Sequence, residues 1–306
     1  MKDSMLENLL KTIADITGEP AGAFNLRKDG AGVIRHSTEN VEIKSKEDKP
    51  GIDIIVKPNT KGEKVHIPVV ITETGVNDLV YNDFYIGDGA DVDIVAGCGI
   101  HNCGSSTSEH DGIHTFYIGK NARIKYTEKH YGEGEGTGDR ILNPTTIVNM
   151  EEGSYCEMDM TQIEGVTSTI RETEANLGKD AKLIISEKLM THDKQTAKSN
   201  VVVNLNGQGS VLQIVSRSVA KDESVQSFHP IAVGNEKCRA HIQCDSIIMD
   251  SAKVASIPEI QANHTDAQIV HEAAIGRINN EQLLKLETFG LNEEEAEAVI
   301  VEAFLS

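Results

Sequence analysis

Leu6, Leu9, Leu10, Ile13 and Ile16 recur at the three- and four-residue spacing of a helix face, which predicts a helix over residues 4–17. Ser4 with Glu7 reads as its capping box, and Gly18 with Pro20 ends it. From Ala21 to about Pro50 the chain is polar, charged and glycine-rich, and it alternates only at Val41-Glu42-Ile43. That stretch reads as a connecting segment holding one strand at most. The pattern changes at Gly51: Ile52, Ile54 and Val56 alternate, as do Val65, Ile67, Val69 and Ile71, with the period of two of half-buried strands.

A turn then repeats. Ile86-Gly87-Asp88-Gly89-Ala90-Asp91-Val92 is matched by Ile118-Gly119-Lys120-Asn121-Ala122-Arg123-Ile124 and by Leu177-Gly178-Lys179-Asp180-Ala181-Lys182-Leu183. Looser copies surround Ser154, Ser210, Cys238 and Ala252. The small residues stand at 90, 122, 154, 181, 210, 238 and 252, at intervals of 32, 32, 27, 29, 28 and 14. A turn recurring at near-even spacing between runs of Val and Ile marks a stacked β architecture. Coils that stack about 4.8 Å apart leave little room at a tight corner, so Gly and Ala are needed there. The competing reading is a β-sandwich with frequent turns; the near-verbatim corners favour a β-helix over 51–266. After Ile269 the period becomes helical. Asn280 caps a helix carrying Leu283, Leu284 and Leu286 that stops at Gly290, and Asn292 with Glu295 opens a second, with Ala296, Val299, Ile300, Ala303 and Phe304 on one side. The chain thus divides into an N-terminal helix and connector (1–50), the β core, and a helical segment (267–306) whose apolar stripe packs on the core or docks a partner.

Composition narrows the function. The 306 residues carry 29 Lys and Arg against 48 Asp and Glu, a formal charge of −19. This argues against nucleic acid or an anionic membrane as the main partner. Aromatics make up 4% and Trp is absent, so the core is aliphatic and suits thin repetitive layers better than a ring-walled pocket. No apolar run approaches the ~18 residues of a membrane span, and the N-terminal residues lack a signal-peptide core. Five cysteines, an odd number, read as free thiols of a cytoplasmic protein.

The glycine-rich run from Gly132 to Gly138 has alternating Glu, which repels phosphate, and reads as a solvated flexible loop. No G-x-S-x-G, H-E-x-x-H or EF-hand pattern occurs, so no enzyme chemistry is indicated. There is also no C-x-x-C. Cys98 and Cys103 flank His101, with His110 and His114 following, and thiolates with imidazole suit iron, copper(I) or zinc. Cys156 fills an apolar strand slot and Cys238 a corner, so both read as structural. Cys244 and Glu272 lie 28 residues apart, about one coil, so they are expected as neighbours. With an imidazole on the adjacent layer, that thiolate and carboxylate suit an iron ion.

Gln243-Cys244-Asp245-Ser246-Ile247-Ile248, then Ala267-Gln268-Ile269-Val270-His271-Glu272-Ala273-Ala274-Ile275-Gly276-Arg277-Ile278, Glu281-Gln282-Leu283 and Gly290-Leu291-Asn292-Glu293-Glu294-Glu295-Ala296 resemble, in that order, the SufB/SufD family of iron–sulfur cluster assembly scaffolds. Val80-Tyr81-Asn82-Asp83-Phe84, Gly97-Cys98-Gly99 and Ala122-Arg123-Ile124-Lys125-Tyr126 look similar too. The likeness spans roughly residues 50–306, is most specific in the C-terminal block, and is closest to the minimal SmsB-type form. It implies a right-handed parallel β-helix flanked by short helical segments, dimerisation with itself or a paralogue through the β-helix, and a SufC-like ABC ATPase bound at the C-terminal helices. Gln282, Leu283, Leu286, Phe289 and Leu291 are the residues expected to meet that ATPase. Cys98 would accept sulfur from a cysteine desulfurase or other donor, with Cys103 as the alternative acceptor. Cys244, Glu272 and His271 would hold iron and a transient Fe–S cluster at the dimer interface. One departure stands out: where SufB carries Gln-Asn-Trp, this chain has Glu128-Lys129-His130-Tyr131. Two rivals remain, an ABC-ATPase subunit of purely regulatory or stabilising role and a β-helix polysaccharide lyase or hydrolase, which would need export and an Asp-rich groove.

Overall fold

Four-residue corners set the path of the chain. In the computed structural model, which describes residues 2–18 and 20–306, Ala90, Ala122, Ser154, Ala181, Ser210 and Cys238 are all buried at one corner of successive coils. The N–H of Ala90 bonds the Gly87 carbonyl at 3.1 Å, and Ala122 and Ala181 do the same to Gly119 and Gly178 at 3.2 Å. At the first five of these corners the residue before the small one is left-handed, Gly89, Gly153 and Gly209 beside Asn121 with φ of 56° and Asp180 with 55°, a conformation that Asn, Asp and Gly tolerate. Ala252 belongs to the opposite corner. Its N–H reaches the Met249 carbonyl as that of Ser224 reaches Lys221, which explains an interval of 14, half a coil, where the others are near 28 or 32.

Between corners the strands pair in parallel, coil on coil, into a solenoid of about 8 turns. One 11-stranded sheet runs from Ala31–His36 and Ala23–Lys28 through Lys61–His66, Asp91–His101, Arg123–Glu133, Tyr155–Glu164, Lys182–Thr191, Val211–Ala220 and Arg239–Ile248 to Gln268–Gly276. The other 11-stranded sheet runs from Val41–Ser45 through Gly51–Val56, Asn77–Ile86, Ser108–Ile118, the coil of Arg140–Leu142 and Thr145–Met150, Ser168–Leu177, Thr196–Leu205 and Val225–Gly234 to Lys253–Ser256. Parallel pairing excludes a β-sandwich built of hairpins. The core is aliphatic: Val92, Ile124, Cys156, Leu183, Leu212, Ala240 and Ile269 form one inward column by direct register. Cys156 is a core residue, its thiol pushed up by burial. In the facing sheet Phe84 and Phe116 stack at 4.3 Å above Val148, Ala175, Val203 and Ala232.

The two ends depart from the sequence-based expectations. Helix α1 spans Lys2–Ala14, so Ser4 lies inside its first turn and is not the cap, and Asp15 with φ of 53° ends it before residue 17. Residues 21–50 are three strands, not a connector: Ala23–Lys28 pairs in parallel with Lys61–His66, while Ala31–His36 and Val41–Ser45 add antiparallel edges. Alternation is missing because Phe24 and Leu26 are buried beneath Leu9 and Ile13 of α1, whereas Ala31–His36 is exposed throughout. At the other end, Gln268–Gly276 is a strand where a helical period was expected after Ile269. It forms the last coil, and exposed Val270 and Ile275 blur its alternation. Helix α2, Asn280–Thr288, is capped by Asn279, one residue before Asn280. Helix α3, Glu293–Leu305, has the expected Asn292–Glu295 capping box and packs Leu305, Val301 and Phe304 on Val219 and Met249. No α2 residue is buried, and Phe289 is 76% exposed.

Candidate functional site

Counting in twos from the apolar positions turns several charged residues inward. Ile124 and Tyr126 fix the phase that buries Glu128 and His130, and Leu177 and Ala175 fix the phase that buries Thr173 and Arg171. Arg171 Nη1 donates to Glu128 Oε1 at 2.6 Å, and its Nε lies 3.5 Å from Glu187 Oε1. The Tyr126 hydroxyl donates to Glu128 Oε2 at 2.6 Å and meets His114 Nδ1 at 2.8 Å. The Ser216 hydroxyl donates to Glu187 at 3.2 Å. Burial alone would raise the Glu128 carboxyl, but Arg171, then His130 and His114, hold it well below the usual carboxylate range. Asp78 is held down similarly by Arg27 and His110 against its own burial.

These groups form a polar file inside the solenoid. Ala96, Glu128, Met160, Glu187, Ser216 and Cys244 make one inward column, and Cys98, His130, Gln162, Leu189, Ser218 and Ser246 the column beside it. Cys98 and Cys244 therefore stand five coils apart, about 24 Å. His110 Nε2, Thr146 Oγ1, Thr173 Oγ1 and Ser199 Oγ are buried opposite with no partner among the described residues. Each would cost about 1–3 kcal/mol in a dry core, and with Glu128, Arg171, His130 and Gln162 also buried here this stretch of the interior is polar beside the aliphatic column.

At the far end, Cys244 Sγ lies 3.2 Å from His271 Nε2. Burial pushes the Cys244 thiol up to about 11, with a Ser256 hydrogen bond opposing and Glu187 adding to the rise. Burial, then His241, lowers His271. The expected pairing of Cys244 with Glu272 is not found. Cys244 stands opposite Ala273 and Glu272 opposite Gln243, because the step between these coils is 29 residues and not 28. Glu272 consequently points outward, 65% exposed and 3.6 Å from His241. The structure brings Cys244 and His271 together and leaves Glu272 on the outer face of the same coil.

At the near end, Cys98 is buried among Val69, Ile71, Ile100 and Leu142. Its thiol is pushed well up by burial, then by Glu128 and Asp78. Cys103 is exposed on the loop that follows. The glycine-rich run expected to be a flexible loop is instead laid against that loop: Gly136 N bonds Asn102 O at 3.1 Å and Gly138 N bonds Gly104 O at 3.0 Å. A Cβ at Gly134, Gly136 or Gly138 would come within 2.1–2.4 Å of the backbone of residues 102–106. Among the residues expected to meet an ATPase, Gln282 and Phe289 are exposed and Leu283, Leu286 and Leu291 half-buried. Glu128, Arg171 and Glu187 were not picked out as a unit from sequence; the phase of their strands is the signal that locates them.

The buried histidines set a pH dependence. Burial pushes His114 and His130 down to about 4, against the pull of Glu128. An unfolded chain takes protons on them near the ordinary value of 6.5, so stability is full above that pH and falls as the pH drops from 6.5 toward 4. Asp78 and Glu128, held low, continue the loss at lower pH. Melting temperature against pH should be level near pH 7–8 and fall below about 6.5; a flat curve to pH 4.5 would show that these rings are not buried neutral.

The chain is thus a parallel solenoid that encloses a file of buried polar residues, with Cys98 toward one end of that file and Cys244 toward the other. Residues 77–304 match the model of the SufBD core domain of the SUF iron–sulfur cluster assembly system. An iron–sulfur cluster assembly SufBD family protein of Methanocaldococcus jannaschii is 31% identical over 285 residues, 92% of this chain and 87% of the relative. Others of that description are 26% identical over 275 residues in Pyrococcus horikoshii (88% and 82%) and 27% over 250 in Archaeoglobus fulgidus (80% and 66%). The chain belongs to the SufBD family, and its role lies in iron–sulfur cluster assembly. Among the described residues no helix is long and apolar enough to cross a membrane.

Proposed function

We propose that this chain is a non-enzymatic, cytoplasmic scaffold on which Fe–S clusters are built and from which they are handed on. The observation that carries the reading is the contact between Cys244 and His271, a thiol and an imidazole beside one another on the last two coils. That donor pair suits iron. The raised Cys244 thiol must lose its proton to bind metal, and His271 Nε2 stands where that proton leaves. Sulfur from a cysteine desulfurase or other donor enters near Cys98 and passes along the polar file, where Glu128 and His130 take the place of the SufB Gln and Trp. Two copies, or this chain and a paralogue, meet through the exposed last coil, and Glu272 joins the site from its outer face there. A SufC-like ABC ATPase docks on α2, none of whose residues is fully buried, and its hydrolysis cycle opens the dimer.

The test is anaerobic co-purification with the candidate ATPase, with iron and acid-labile sulfide measured in wild type and Cys244→Ser. The expected result is a complex in which wild type holds both and the variant loses both. A complex in which neither protein holds iron after reconstitution would instead identify a regulatory or stabilising ATPase subunit.

A further inference from the structure

Cys103 is one of the five cysteines and has no place in the polar file, yet it has the best-organised surroundings for reaction. Its Sγ lies 3.0 Å from His101 Nε2. The other ring nitrogen, His101 Nδ1, lies 2.8 Å from Glu133 Oε1. Glu133 is the register partner of His101 on the next coil, and the Tyr131 hydroxyl donates to its second oxygen at 3.2 Å. An ionised carboxylate only accepts, so Nδ1 carries the ring proton and Nε2 presents its lone pair to the thiol. Thiol, imidazole and carboxylate are thus arranged as nucleophile, base and orienting group. The loop is held for this: buried Asn102 donates to Ser106 O at 2.8 Å and accepts from Gly104 N at 3.0 Å, and the glycines after Glu133 lie against it. Cys98, by contrast, is buried with a raised thiol.

We propose that Cys103, with His101 as base and Glu133 as positioning residue, is the thiol that takes sulfane sulfur from a persulfide donor in solution. The inference rests on the scaffold reading for its purpose and refines its point of sulfur entry. Cys103 Sγ attacks the outer sulfur of the donor R–S–S–H while His101 Nε2 takes the thiol proton. The Cys103–sulfur bond forms as the donor S–S bond breaks, and the donor leaves as a thiolate that receives the proton from His101. Cys103 is oxidised by the two electrons that reduce the donor to its thiol, so no further oxidant is needed.

The test uses the full reduced chain under anaerobic conditions, with iodoacetamide alkylation followed site by site by mass spectrometry. Cys103 should react at least about tenfold faster than Cys98 and Cys156, and His101→Ala should slow Cys103 at least about tenfold. Glu133→Gln should slow it less. Incubation with a low-molecular-weight persulfide should add one sulfur atom to Cys103 in wild type and in Cys98→Ser, and much less in His101→Ala. Cys103 reacting no faster than a cysteine in an unstructured peptide, with no effect of His101→Ala, overturns the proposal. Reconstitution with iron and inorganic sulfide bypasses this step. A cluster formed that way beside an unloaded Cys103 refutes this inference and spares the scaffold, whereas a loaded Cys103 with no cluster does the reverse.

Discussion

Arg171→Met is expected to destabilise the protein by about 3–5 kcal/mol, the usual cost of removing one partner from a buried ion pair. Arg171 is 4% exposed and stands between Glu128 and Glu187, which occupy one inward column two coils apart. Methionine fills much of the volume but leaves two carboxylates facing one another in the interior. What remains near them are the hydroxyls of Tyr126 and Ser216, the ring of His130 at 3.2 Å from Glu128, and His114. Urea unfolding of the single variant beside Arg171→Met/Glu128→Gln checks the cause. The double variant should recover a sizeable part of the loss, because it removes one of the stranded charges. A single variant within about 1 kcal/mol of wild type would mean that water already screens these groups.

Phe116→Ala is expected to cost a similar amount, about 3–5 kcal/mol. The ring is wholly buried, stacked on Phe84 at 4.3 Å and set edge-on to Tyr126 at 5.1 Å. Its removal leaves a cavity that two neighbouring aromatic rings, fixed on parallel strands, cannot collapse into. It also loosens Tyr126, whose hydroxyl joins His114 to Glu128. The adjacent residue offers the control. Tyr117 is stacked on Tyr85 at 5.1 Å but on the outer face, so Tyr117→Ala should cost no more than about 1 kcal/mol. Equal losses at 116 and 117 would contradict the placement of the core.

The corners made most of the fold legible. Their glycine, Asn or Asp before a small residue is demanded by backbone geometry and so repeats almost letter for letter, and the apolar runs between them fix the strands. Ala23–Lys28 escaped because its buried residues serve two packing partners, α1 on one side and the solenoid on the other. Cys244 and His271 could be named because they sit in the block that carries the family likeness. Their geometry could not, since a coil of 29 residues in place of 28 moves Glu272 to the opposite face while keeping it adjacent in sequence. Arg171 was missed for a related reason: exposed Ile170 beside it suggests the opposite phase, and only Ala175 and Leu177 farther along reveal which side is in.

A stack in which each coil touches only the coils above and below behaves as a one-dimensional chain of nearest neighbours. Its interior units are held from both sides, and its last unit from one. The N-terminal end is closed by α1 and by the antiparallel strands Ala31–His36 and Val41–Ser45. The coil formed by Gln268–Gly276 pairs with Arg239–Ile248 alone. Fraying therefore begins there, and it parts His271 from Cys244 while Glu187, Arg171 and Glu128 stay locked three to five coils inside. The solenoid thus concentrates its conformational freedom at the coil that covers Cys244, and a modest pull on α2 and α3, which follow that strand directly, would act on that coil first.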